Sequence, residues 1–250
     1  MQIKIIELEK QLVIFEDLGI VNYKAAWDYQ EILVKKNLDI KSEARKAINN
    51  PLSETSSYPP ETLNHLLFCE HPPVYTLGKS GHMENVLLSE YEMNEKEIEF
   101  FKTNRGGDIT FHGPEQIVGY PILDLEKFST DIGKYLRSLE EVIILTIRDY
   151  GIEGQRSKGE TGVWIEPGKF GKERKICAMG IRCSRWITMH GFALNVNTDL
   201  SFFENIIPCG IVNKQVTSIE KELGYKVDIN EVKEKIKKNF ETVFNVVIQG

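Results

Sequence analysis

The sequence predicts a single-domain α+β fold on two observations. Segments with strand periodicity and segments with helical spacing are mixed without the strict alternation of a doubly wound parallel sheet. The 250 residues, 41% hydrophobic and 27% charged, suffice to enclose one continuous core, so a single domain over 1–250 is expected.

The first strand is expected at 12–16, followed by an amphipathic helix over 22–35. Tyr23, Ala26, Trp27, Gln30 and Val34 fall there at helical spacing behind Asn22 as N-cap. Residues 38–61 are polar and end in a cluster of proline and serine, a composition that predicts a flexible exposed insertion. The chain is apolar again from 62 to 77, where His71-Pro72-Pro73 separates a first apolar run from the strand Val74-Tyr75-Thr76-Leu77.

Residues 105–114 alternate. Ile109 and Phe111 share one face, and Asp108, Thr110 and His112 the other, so this strand offers a polar face that can line a site. A strand at 118–123 and a helix over 132–150, with Leu136, Leu139, Ile143 and Ile147 as its stripe, come next, and Gly151 stops the helix. The stretches 175–183 and 186–196 are β-rich, and in the second the apolar parity switches across His190-Gly191, which predicts a bulge at Gly191. Thr217 and Glu220 form a capping pattern for a short helix ending at Gly224. Asp228 and Glu231 do the same for a C-terminal helical segment, 228–250, with Val232, Ile236, Phe240 and Val243 on its apolar side.

Composition excludes several function classes. Lysines and arginines number 31 against 37 acidic residues, a net charge of −6, so the basic footprint of a nucleic-acid binder is missing. The run 142–147 is far shorter than the roughly 20 apolar residues that span a bilayer. Acidic residues interrupt the apolar N-terminus where a signal peptide would be unbroken, and the four cysteines are then expected to be reduced thiols in a cytoplasmic enzyme. Gly78-Lys79-Ser80 is not a phosphate loop, because Pro73 stands where its first glycine is needed, and Gly106-Gly107 lacks the third glycine of a dinucleotide fingerprint. His65, Cys69 and His71 match no zinc spacing, and no metal or cofactor is expected.

Three features remain as candidate chemistry. In the 175–183 strand, the small residues Ala178 and Gly180 share a face that would leave a furrow for an aliphatic ligand. Strict alternation puts Lys175 on the opposite face, so this lysine reaches the furrow only if the strand twists or starts after it. Pro208-Cys209-Gly210 presents a thiol between a residue of fixed φ and one without a Cβ.

Taken together, Arg105 to Pro114, Lys175-Ile176-Cys177-Ala178-Met179-Gly180, His190-Gly191-Phe192-Ala193-Leu194-Asn195 and Pro208-Cys209-Gly210 resemble, in order and spacing, the lipoyl(octanoyl) transferase family, also called lipoate-protein ligase B. The resemblance covers residues 13–224. It implies a fold like the biotin and lipoate protein ligase catalytic domain, an α+β arrangement with a mostly antiparallel sheet flanked by helices, and an enzyme that moves an octanoyl group from octanoyl-acyl carrier protein to one lysine of a lipoyl domain. The acceptors it implies are the E2 subunits of 2-oxoacid dehydrogenases and the glycine cleavage H protein. By the same resemblance Cys209 carries the acyl group as a thioester and Lys175 activates it. Arg105, Gly106, Gly107, Asp108, Ile109, Thr110, Phe111 and His112, then Ala178, Met179 and Gly180, then Gly191, Phe192 and Ala193, bind substrate. The rival on the same fold is an ATP-dependent lipoate or biotin ligase, which needs no cysteine.

The chain departs from the family pattern at Glu115, where glycine is usual, and at Cys177, which brings a second thiol toward the site. The lysines at 233, 235, 237 and 238 form a solvated face or, together with Arg182 and Arg185, a docking surface for an acidic carrier.

Overall fold

Among the described residues nine strands form one sheet, and helices cover both of its faces. The computed structural model describes residues 10–49, 61–207 and 215–250. In chain order the elements are β1 (Gln11–Ile20), α1 (Tyr23–Asn49), β2 (Asn64–Glu70), β3 (Val74–Leu77), α2 (Glu90–Glu95), β4 (Glu99–Lys102), β5 (Ile109–His112), β6 (Gln116–Ile122), α3 (Ile132–Arg148), β7 (Gly154–Gln155), β8 (Val163–Ile165), β9 (Arg174–Ser184), β10 (Ile187–Asn195), β11 (Gln215–Val216), α4 (Ile219–Leu223), α5 (Ile229–Phe244) and β12 (Val246–Gln249). The large sheet runs β12-β1-β2-β6-β10-β9-β8-β7, with β11 added to β9, and a small sheet runs β4-β3-β5. From β2 through β7 every neighbouring pair is antiparallel, so the α+β expectation holds.

Period-two alternation sorts the side chains of the central strands between two cores. Leu66 and Phe68 of β2 and Ile117 of β6 meet the stripe Leu139, Val142, Ile143 and Ile147 of α3 and Val232, Ile236 and Phe240 of α5. Leu67, Cys69, Val118 and Tyr120 point the other way, onto Ala26, Leu33 and Val34 of α1. The small sheet has its own cluster around Tyr75, Phe111 and Ile206.

Four expectations are corrected. The flexible insertion over 38–61 is, through Asn49, a continuation of α1; residues 50–60 lie outside the described residues. The polar helix is held by tertiary bonds, since Asn37 brackets Leu63 with two hydrogen bonds of 2.8 and 2.9 Å and Lys41 meets Asp124 at 2.8 Å and Glu126 at 2.9 Å. The C-terminal helical segment stops at Asn245, whose φ of 53° lets the chain turn back as β12 beside β1. Ser218, not Thr217, caps α4, because Thr217 is committed to β9 through its backbone and to Glu222 through its hydroxyl. Finally, β10 carries no bulge at Gly191: its register against β9 and β6 is unbroken. Its parity looks switched because both of its faces are covered, Met189 and Ala193 by α1 and Phe192 and Leu194 by the core under α3.

Phe240 is fully buried, with its ring stacked 4.3 Å from that of Phe244. Phe240→Ala should lower the unfolding free energy by about 3–5 kcal/mol, read as a lower urea midpoint at unchanged slope.

Candidate active site

A cavity of about 470 Å³ opens where β6, β9 and β10 meet the 105–110 loop. Of the residues expected to bind substrate, Arg105, Gly106, Gly107, Asp108, Ile109, Thr110, His112, Ala178, Met179, Gly180, Gly191, Phe192 and Ala193 all line it. Phe111 does not. It faces the small-sheet core, stacked flat on Phe202 at 4.6 Å, because on β5 its side chain alternates away from those of Thr110 and His112.

Lys175 also lines the cavity, and the backbone explains how. Val163 of β8 lies opposite Cys177 and Trp164 opposite Lys175, so β9 uses two steps where β8 uses one. This bulge reverses side-chain parity, and Lys175 joins Ala178 on the cavity side. Its ammonium rests 4.5 Å from the centre of the Trp164 ring. Cys177, flanking the bulge, is fully buried and does not line the cavity, and burial pushes its thiol well above the ordinary value. It is core, not a second reactive sulfur.

The furrow expected over Ala178 and Gly180 is partly occupied by protein. Gly106 donates its N–H to the Ile181 carbonyl at 2.8 Å, and a Cβ on Gly180 would stand 2.6 Å from the Gly106 carbonyl oxygen. Gly180 is thus small so that the 105–107 loop can lie on β9, while Ala178 keeps an open stretch beside Lys175. Arg105 ties the same loop to β3, donating to the Thr76 carbonyl at 2.6 Å and the Thr76 hydroxyl at 2.9 Å.

Glu115 follows the backbone path of a glycine, with φ of 58°. Its N–H donates to Glu70, its carbonyl accepts from Asn197 and Thr198, and Lys226 meets its carboxylate at 2.6 Å. Those contacts hold a left-handed turn that a side chain disfavours.

The rear of the cavity is a polar network. His112 donates from Nδ1 to Gln116 at 2.9 Å, Gln116 donates to Asn195 at 2.8 Å, and Asn195 donates to the Thr217 carbonyl at 2.9 Å. Behind them His71 donates from Nδ1 to the Val21 carbonyl and accepts at Nε2 from the Tyr120 hydroxyl, 2.8 Å away. Tyr23 stacks on His112, and burial pushes the Tyr23 hydroxyl up to about 12. His190, at φ 59°, donates from Nε2 to Asn104 at 2.7 Å. Burial lowers His71 to about 4, burial with Arg105 and Arg182 nearby lowers His190 to about 3, and His112 lies well below its ordinary value for the same reason.

Tyr23, Gln116, Tyr120, Asn195, Leu136 and Val216 line the cavity without having been expected there. Gln116 and Asn195 carried a readable signal, as lone polar residues at the ends of apolar strands. Tyr23 carried none, since its helical spacing matches a core residue.

Cys209 lies outside the described residues, but Phe203 before it and Val216 after it both line the cavity. Of the lysines expected on one C-terminal face, Lys233 is buried against Asp17 at 2.9 Å, Lys235 pairs with Glu231 and Lys237 with Glu234, while Lys238 is exposed; Arg182 pairs with Glu31 at 2.6 Å and Arg185 is exposed. Among the described residues no three metal-ligating side chains converge, and no helix is long and apolar enough to cross a membrane.

The profile of the lipoyl protein ligase A/B catalytic domain matches residues 22–241. The chain is 58% identical over 234 residues to the octanoyltransferase of Flavobacterium psychrophilum, covering 93% of this chain and 97% of that protein. It is 56% identical, with 93% and 96% coverage, to the octanoyltransferase of Christiangramia forsetii. Among solved structures it shares its fold with the bi-partite lipoate protein ligase of Thermoplasma acidophilum, at a TM-score of 0.63, 16% identity, and coverage of 96% of this chain and 86% of that one.

The histidines make stability acid-sensitive. Unfolded, they titrate near 6.5; folded, they stay neutral, so below about pH 6.5 the unfolded chain binds more protons and folding weakens until the folded values near 4 and 3 are passed. Each contributes up to roughly 1.4 kcal/mol per pH unit in that window. Denaturant titrations at about pH 7 and about pH 5 should show the loss, and equal stabilities would contradict three neutral rings.

Gly180→Ala drives a methyl group into the Gly106 carbonyl, and should destabilise the chain by about 1–3 kcal/mol in urea titration.

Proposed function

The chain belongs to the lipoyl protein ligase A/B catalytic domain family, and from that premise we propose that it is an octanoyltransferase. It takes an octanoyl group from octanoyl-acyl carrier protein, holds it as a thioester on Cys209, and passes it to the target lysine of a lipoyl domain. E2 subunits of 2-oxoacid dehydrogenases and the glycine cleavage H protein are the acceptors on this reading, and the cytoplasm, where acyl carrier protein works, is the compartment.

The observation that carries the reading is the parity reversal in β9, which turns Lys175 into a cavity that has an apolar wall of Ala178, Met179, Val118, Ala193 and Phe192 and a polar rear around His112, Gln116 and Asn195. An octanoyl chain needs such apolar walls, and its reacting carbonyl needs one charged group at one end. The described cysteines do not compete for the nucleophile's place. Burial raises the thiols of Cys69, Cys177 and Cys183 above their ordinary value, which disfavours the thiolate in each.

In the first half-reaction Lys175, as a neutral amine, takes the Cys209 proton and becomes the ammonium that faces the thiolate, the sulfur forms a bond to the octanoyl carbonyl carbon, and the carbon–sulfur bond to the carrier breaks. Lys175 then returns the proton to the departing carrier thiolate. In the second, the acceptor amine attacks the new thioester, the Cys209 carbon–sulfur bond breaks, and the amine proton reaches the sulfur by way of Lys175. Thioester exchanged for thioester, then for amide, needs no nucleoside triphosphate.

Intact-mass analysis after incubation with octanoyl-acyl carrier protein should show one octanoyl adduct, lost in Cys209→Ala together with transfer to a lipoyl domain. Transfer retained in that variant, or loading that requires ATP and leaves Cys209 bare, would overturn the reading.

A further inference from the structure

The Glu140 side chain is wholly buried on α3, where a carboxylate persists only if its oxygens are engaged. It accepts from Arg137 at 2.5 Å, from Arg156 Nε at 3.1 Å and from the backbone N–H of Gly162 at 3.0 Å. Arg156 is further fastened to Glu141 at 2.5 Å and to the Arg137 carbonyl at 3.0 Å. One carboxylate therefore ties both ends of the 156–162 segment, and the residues between, Gly159, Glu160 and Thr161, line the cavity.

The Gly162 end matters most. Its φ is 111°, and a Cβ there would stand 2.5 Å from the Cys177 carbonyl oxygen, so the backbone at Gly162 rests directly on β9. The next two residues are Val163 and Trp164, opposite Cys177 and Lys175, where the register slips. The Glu140 bond thus ends one residue ahead of the bulge that aims Lys175, on the strand whose Trp164 ring supports the Lys175 ammonium.

We infer that Glu140 is a positioning residue for Lys175: it fixes Gly162 against β9, keeps the bulge in register and holds the lysine in the cavity. A buried ion cluster is a weak stabiliser compared with an apolar packing of the same volume, so a role in aiming a reactive group accounts for a charge that stability alone does not require. The inference rests on the proposed transfer only for its kinetic consequence, since the geometry stands without it.

The test uses Glu140→Gln in the full chain. Its primary readout is amine labelling mapped by mass spectrometry, with Lys175 acetylation by acetic anhydride measured relative to exposed Lys24. Lys175 should label several-fold faster in Glu140→Gln than in the parent, because the ammonium leaves its seat over Trp164. In octanoyl transfer kcat should fall about tenfold, with the acceptor KM unchanged, and adding Glu140→Gln to Lys175→Met should cost nothing more, the non-additivity of residues acting through one group. Unchanged Lys175 labelling in a folded Glu140→Gln chain, or a fully additive double variant, overturns the inference and leaves Glu140 a structural ion pair. If Glu140→Gln does not fold, Arg156→Met keeps the buried carboxylate paired with Arg137 and Gly162 while loosening the other end of the segment; a smaller rise in Lys175 labelling is expected, and none overturns it. A parent chain that transfers no octanoyl group tells against the proposed function, while the labelling still decides the role of Glu140.

Discussion

The cavity owes its chemistry to the extra residue that β9 accommodates between Lys175 and Cys177. In an unbroken strand Lys175 would share a face with Cys177 and be driven into the core under α3, where an ammonium has no water and no partner. With the bulge, Cys177 takes the core position and Lys175 the open one. Several neighbouring features are consequences. Gly162 must lack a side chain so that β8 can close on the distorted strand, the Trp164 ring seats the Lys175 ammonium, and β11 pairs Val216 with Lys175 so that the displaced backbone groups still find partners.

A second constraint links the two sheets. Arg105 bonds Thr76, Thr76 lies against His112 at 3.3 Å, and from His112 the bonds run through Gln116 and Asn195 to the Thr217 carbonyl, next to the residue that pairs with Lys175. Each member is buried and satisfied, which is the condition under which a polar network rigidifies a fold rather than weakening it. The chain of amides and hydroxyls also explains the neutral histidines. His112 and His71 each donate at Nδ1 and accept at Nε2, which a protonated ring cannot do.

Much of this was legible in the sequence, and the failures have physical causes. The stripes of α3 and α5 were readable because each helix buries one side only, and the faces of β5 because Asp108, Thr110 and His112 are polar where Ile109 and Phe111 are apolar. β10 was misread because burial on both faces erases the alternation that parity arguments need. The second half of α1 was misread because its stability comes from Asn37 and Lys41 gripping distant residues, which local composition does not record. The position of Lys175 was a question the sequence posed and left open, since a bulge is set by the partner strand as much as by its own residues. The tight β9–β10 turn also lacks its usual signal: Arg185 and Trp186 adopt φ of 47° and 69° where Asn-Gly would be expected.

Of the non-glycine residues at positive φ, Glu97, Glu166 and Asn245 lie elsewhere, and four lie at or within β6 and β10. Glu115 precedes β6, Arg185 and Trp186 precede β10, and His190 lies within β10, so the strands that wall the cavity on one side carry four non-glycine residues at positive φ. Such conformations cost on the order of 1 kcal/mol each and survive only where surrounding contacts over-determine them. At Glu115 the contacts are visible as bonds to Glu70, Asn197, Thr198 and Lys226. At His190 the backbone N–H is taken by Gln30 of α1, and the ring by Asn104. An even-numbered residue in β10 otherwise points with Phe192 and Leu194 into the core under α3. The left-handed turn instead sets this ring beside Trp27, on the α1 side, where Asn104 links it to Glu31 and through Glu31 to Arg182. Strain at one residue thereby anchors the loop that carries Arg105, Gly106 and Gly107, and the loop in turn closes over Gly180. The cavity's shape is held through that loop by two bonds, from Gly106 to β9 and from His190 to Asn104.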